Sequence, residues 1–112
     1  MTTSPLTLDT VERVGFVMQI RPERVADYLV AHEVVWPEML AALRAAGWVN
    51  YSLFLRKEDG LVFGYVETDD FDAACARIES TDANARWQAH MSEYFVPTVD
   101  RMTRLTGYFH LG

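Results

Sequence analysis

The chain has 112 residues, half of them hydrophobic, which supports one modest core and is too short for two. Ten Lys and Arg stand against 16 Asp and Glu, a formal charge of −6 at pH 7 that repels phosphate backbones and anionic lipid, so nucleic acid is not an expected partner. The apolar residues come in short blocks with no bilayer-spanning run, and residues 1–10 carry none of the basic residues of a leader; a soluble, cytoplasmic protein without membrane contact is expected.

Residues 1–12 read as a flexible arm and 13–112 as a single domain. Val14, Phe16, Met18 and Ile20 alternate with Gly15, Val17 and Gln19, the period of a strand. Pro22 suits the first helical position, and Val25, Tyr28, Leu29 and His32 recur at helical spacing after it. Pro37 predicts a kink or restart near Val35 and Trp36, after which Met39, Leu40 and Leu43 continue the apolar side up to Gly47, well placed for a left-handed helix end. A second strand carries Val49, Tyr51, Leu53 and Leu55, and the polar Lys57-Glu58-Asp59-Gly60 turn leads to a third over 61–67.

Asp69 or Asp70 can cap the next helix, whose apolar face is Phe71, Ala74, Cys75 and Ile78. Cys75, the lone cysteine, has no disulfide partner and reads as a small buried apolar side chain. Ser80, Thr81 and Asp82 offer a fresh cap, with Trp87, His90 or Met91, and Tyr94 on one face until Pro97 closes the helix. A polar link over 98–104 precedes a last expected strand over 105–111, where Leu105, Gly107, Phe109 and Leu111 alternate with Thr106, Tyr108 and His110.

Strand, helix, strand, strand, helix, strand is the split βαβ order of an α+β, ferredoxin-like protomer with helices on one face of an antiparallel sheet. The first and third strands carry apolar residues on both faces, Val17 opposite Phe16 and Met18, and Val62 and Val66 opposite Phe63 and Tyr65, which predicts a homodimer that buries the face the helices leave uncovered.

Tyr28, His32 and Trp36 are spaced i, i+4, i+8 and line one face if the helix persists, as walls of a cavity or as ordinary core aromatics; spacing alone does not decide. Glu33 points about 100° away from His32 and reads as a solvated carboxylate. No HExxH, GxGxxG, Walker or GxSxG pattern occurs, so neither a metal nor another cofactor is expected and chemistry has to rest on His and Tyr.

The run Ala31-His32-Glu33-Val34-Val35-Trp36-Pro37-Glu38-Met39 contains H-x-x-x-W-P-E and resembles the first helix of the L-rhamnose mutarotase family. Gly15-Phe16-Val17-Met18-Gln19-Ile20 is similar to that family's opening strand, Asn50-Tyr51-Ser52-Leu53 to its second, Ser80-Thr81-Asp82 with Arg86-Trp87 to its third helical segment, and Phe109-His110-Leu111 to its close. The resemblance implies a dimeric α+β barrel, His32 as the proton donor, and a monosaccharide held by Tyr28, Tyr51 and Trp87. Two segments depart: the family often has two adjacent tryptophans after Arg where this chain reads Arg86-Trp87-Gln88, and its proline-containing Asn-Pro-Asp-Asn-Ser-Pro segment is replaced by Pro97-Thr98-Val99-Asp100-Arg101. Gln88 is therefore read as a polar contact to substrate.

The implied activity is interconversion of the α and β anomers of a 6-deoxyhexose, L-rhamnose before others. Opening a cyclic hemiacetal moves one proton onto the ring oxygen and another off the anomeric hydroxyl, and imidazole, with an ordinary pKa of about 6.5, does both near neutrality. A cofactor-free oxygenase of the same barrel class and a non-catalytic dimer that binds a small ligand are the rival readings, since a fold does not fix a function.

Overall fold

The computed structural model describes residues 11–97 and 101–112, so most of the arm read for 1–12 and part of the link read for 98–104 lie outside the described residues. Strand β1 (Glu12–Gln19) pairs antiparallel with β3 (Leu61–Thr68), which pairs with β2 (Val49–Arg56); a short β4 (Thr103–Arg104) lies on the other side of β1, giving the sheet order β2-β3-β1-β4. The helices are α1 (Val25–Ala31), which follows a 3₁₀ turn over Pro22–Arg24, α2 (Pro37–Ala45), α3 (Phe71–Glu79) and α4 (Asp82–Met91). Element order and sheet give the ferredoxin-like α+β arrangement expected from the periodicity.

The alternation read in β1 and β3 sorts the side chains as a pleated sheet requires. Val14 and Phe16 point inward with Val62 and Val66, all 1% exposed or less, and meet Tyr28, Met39, Phe71, Ile78 and Trp87 from the helices. Phe16 lies directly opposite Gly64, where a Cβ would overlap its ring; the missing side chain gives the aromatic its place in the core. On the outer face Phe54 and Phe63 are cross-strand partners, 61% and 39% exposed, with ring centroids 6.4 Å apart.

Local signals set the ends of the elements. Asp70 caps α3 by accepting from the Ala73 N–H, and Thr81 caps α4 by accepting from Asn84, each choosing one among the capping residues the sequence offered. Gly47, at φ +91°, follows α2 as its left-handed terminator. Gly60, at φ +77°, closes the β2–β3 hairpin, its carbonyl accepting from the Ile20 N–H.

Of the kink or restart expected at Pro37 the structure has the restart: α1 ends at Ala31 with His32 as its cap, and α2 begins afresh at Pro37. Pro37 forces Trp36 into extended backbone (φ −57°, ψ 138°), and the β-branched pair Val34-Val35 gives the preceding turn little helical support. The last strand does not span 105–111. Pairing stops after Thr103–Arg104 and the Leu105 N–H bond to the Gly15 carbonyl, and 105–112 continue exposed, Tyr108, Phe109 and Leu111 most of all. The alternating pattern is real, but within one protomer it meets no sheet edge that would hold it.

Candidate active site

One large cavity, about 950 Å³, opens between the inner face of the sheet and the helices, within the range typical of small-molecule sites, about 300–1,000 Å³. Tyr28, His32, Tyr51, Trp87 and Gln88, the five residues singled out in the sequence, all line it.

Each arrives from a different local cause. Tyr28 is buried on the inward face of α1, its ring edge-on to Tyr94 and Phe95 at 6.2 and 6.0 Å. His32 sits where α1 ends, its N–H donating to the Tyr28 carbonyl, so its ring stands at the cavity wall 5.5 Å from the Tyr28 ring and 5.6 Å from that of Trp87. Trp87, on the buried face of α4, is edge-on to His32 at 87°. Tyr51 comes from β2 and rests against Trp48 at 5.0 Å, while the Trp48 N–H donates to the Ala74 carbonyl of α3. Trp36, beyond the helix break, packs on Trp87 at 5.0 Å and His90 at 5.3 Å and buttresses the wall from behind.

The electrostatics follow from burial. Desolvation lowers the pKa of His32, countered in part by a backbone hydrogen bond, so the imidazole rests neutral at pH 7. Burial pushes Tyr28 up to about 12 and Tyr51 further still, the latter also through its neighbours Tyr28 and Cys75; both phenols stay protonated and serve as neutral donors and acceptors. Among the described residues no side chain hydrogen-bonds the His32 ring, and Glu33, next in the chain, is exposed at the rim. Cys75 lines the same cavity half-buried, its thiol pushed up first by desolvation and then by Glu79 and Asp72, which keeps it a thiol.

The polar part of the wall is a chain of hydrogen bonds. Gln88 donates to the Asn84 side-chain carbonyl at 3.1 Å, one turn earlier in α4, and accepts from the Arg101 guanidinium at 2.8 Å. Arg101 in turn lies 4.2 Å over the Phe95 ring. Asn84 was within reach of sequence reasoning, because i, i+4 spacing puts it on the face of Gln88. Arg101 was not: it sits in a link with no periodicity, and only the fold brings it to the wall. Among the described residues, no group of three or more His, Cys, Asp and Glu is disposed to share a metal ion, and no helix is long and apolar enough to cross a membrane.

Fold and cavity together define a ferredoxin-like α+β protein whose main cavity is lined by a neutral imidazole, two protonated phenols and an indole. The family profile described as L-rhamnose mutarotase matches residues 13–111. An L-rhamnose mutarotase of Oceanobacillus iheyensis is 34% identical over 104 residues, covering 90% of this chain and 99% of that protein. The chain belongs to the L-rhamnose mutarotase family, whose members are isomerases acting on carbohydrates. Among solved structures, an L-rhamnose mutarotase from Formosa agariphila superposes with a TM-score of 0.75 at 21% identity, over 90% of this chain and 99% of that one. A dimeric ferredoxin-like protein from an uncultured marine organism superposes with a TM-score of 0.59 at 14% identity, over 92% and 94%. At these identities the two structures bear on fold alone.

Proposed function

We propose that the protein is a cytoplasmic aldose mutarotase that interconverts the anomers of a 6-deoxyhexose, L-rhamnose first, with His32 as its acid/base group. The observation that carries the reading is that His32 of the H-x-x-x-W-P-E run shares one cavity with Tyr28, Tyr51 and Trp87. Resting neutral, the imidazole starts as the base. It takes the anomeric hydroxyl proton as the bond from C1 to the ring oxygen breaks, and the imidazolium so formed returns that proton to the ring oxygen, leaving an open-chain aldehyde. Rotation about C1–C2 presents the opposite carbonyl face, and the same two transfers in reverse close the ring as the other anomer.

Tyr28, beside His32, orients a sugar hydroxyl without exchanging its own proton, given a pKa near 12. Trp87 lies against the apolar C–H face and the methyl group, Tyr51 holds a further hydroxyl, and Gln88 belongs to the polar wall. The working form in this reading is a homodimer closed over the Phe54–Phe63 face, a dimeric α+β barrel. Exposed aromatics there and on the 105–112 segment support it, as one fold neighbour is described as dimeric.

Saturation-transfer NMR of L-rhamnose and L-fucose tests the activity. Accelerated anomer exchange, lost in a folded His32→Ala variant, is the expected result. No acceleration of either sugar sinks it, and quinol-dependent oxygen uptake would then favour an oxygenase.

A further inference from the structure

We propose that Arg101 is a sugar-contacting residue, and that Gln88 acts on substrate chiefly through it. The inference rests on the mutarotase reading for its substrate and on the Asn84–Gln88–Arg101 chain for its geometry.

Gln88 is already committed at both ends within the protein: one N–H of its amide donates to Asn84 and its carbonyl accepts from Arg101, which fixes the orientation of the side chain and leaves one N–H and one lone pair. The guanidinium is held on two sides, by the Gln88 carbonyl at 2.8 Å and by the Phe95 ring at 4.2 Å. A planar fork fixed in this way keeps further N–H donors for the cavity it lines, and loses less freedom on binding than a loose lysine would. Two donors in one plane match two adjacent hydroxyl oxygens of a pyranose.

The charge of the wall narrows the ligand class. Glu33 and Glu79 line the same cavity as Arg101, so an acidic sugar or sugar phosphate gains one attraction and meets two repulsions. The arrangement fits a neutral polyhydroxy ring, held by hydrogen bonds at the Arg101 end and by apolar contact at Trp87.

A double-mutant cycle in L-rhamnose exchange tests this. Arg101→Ala is expected to raise KM about tenfold or more, the effect of losing a charge-assisted hydrogen bond, with kcat little changed because His32 is untouched. Gln88→Ala raises KM less, and the double variant matches Arg101→Ala alone, whereas independent contacts would multiply. Arg101→Lys, which keeps the charge and loses the fork, recovers only part of the affinity. KM in Arg101→Ala within about twofold of the parent protein, or multiplicative effects in the cycle, overturns the proposal. Should the protein bind L-rhamnose without accelerating its exchange, the same ratios are read from Kd by calorimetry: their agreement upholds the sugar contact while the mutarotase reading fails. Absence of L-rhamnose binding overturns both.

Discussion

His32 owes its place to the end of a helix and its protonation state to burial. Its folded pKa lies below the ordinary 6.5, so between that lowered value and about 6.5 the unfolded chain holds a proton that the folded one does not. Stability gained from this site is therefore full above about pH 6.5 and declines as pH falls toward the folded pKa. The expected activity profile of kcat/KM is flat through neutrality, with its acid limb displaced below pH 6.5. A limb at or above 6.5, with L-rhamnose as substrate, would show that the imidazole is not desolvated as the fold implies. His32→Ala should lower kcat by about 10²–10⁴-fold, the usual range for a general acid/base group, with near-normal thermal stability. At this scale the sequence was informative where residue type carried the signal: a histidine one turn from a tyrosine, and a tryptophan on an amphipathic helix. It was silent on Arg101, whose position depends on where a link crosses the cavity wall.

Among the elements, caps and turns were legible and continuity was not. Capping and chain reversal are decided by one or two residues, so Asp70, Thr81, Gly47 and Gly60 do what their types allow. The length of the first helix depends instead on a contest between Tyr28-to-Trp36 periodicity and the backbone demand of Pro37, and the proline prevails for several residues upstream. Gly60 gives the sharpest test at this level. It combines a left-handed φ with a site where any Cβ would run into the Ile20 carbonyl, so Gly60→Ala is expected to cost about 2 kcal/mol or more. The urea midpoint would fall at unchanged m-value, while Glu58→Ala, exposed in the same turn, stays within about 0.5 kcal/mol. Equal effects for the two would mean the hairpin relaxes around the new methyl group.

Over the whole molecule, helices close the inner face of the sheet, while among the described residues Phe54 and Phe63 stand exposed on the outer face. The pattern in 105–111 did not predict pairing within the protomer, because period records which residues are apolar and not which chain covers them. The homodimer proposed above would cover both the Phe54–Phe63 face and the exposed tail. Phe63→Arg, on the side of the sheet away from the cavity, is expected to shift sedimentation from dimer to monomer with the fold retained by circular dichroism. A monomeric parent protein at micromolar concentration would count against the barrel.

The three tryptophans have a consequence of an optical kind. Trp48 and Trp87 line the cavity, and Trp36 rests on Trp87 with ring centroids 5.0 Å apart, so the chain's whole indole emission originates at or beside the site. Sugar binding that dries the face of Trp87 should shift the emission spectrum in a saturable titration, and Trp87→Phe should remove most of that response. Occupancy is then visible in the unlabelled protein, separately from turnover, for any sugar that leaves the anomer ratio unchanged.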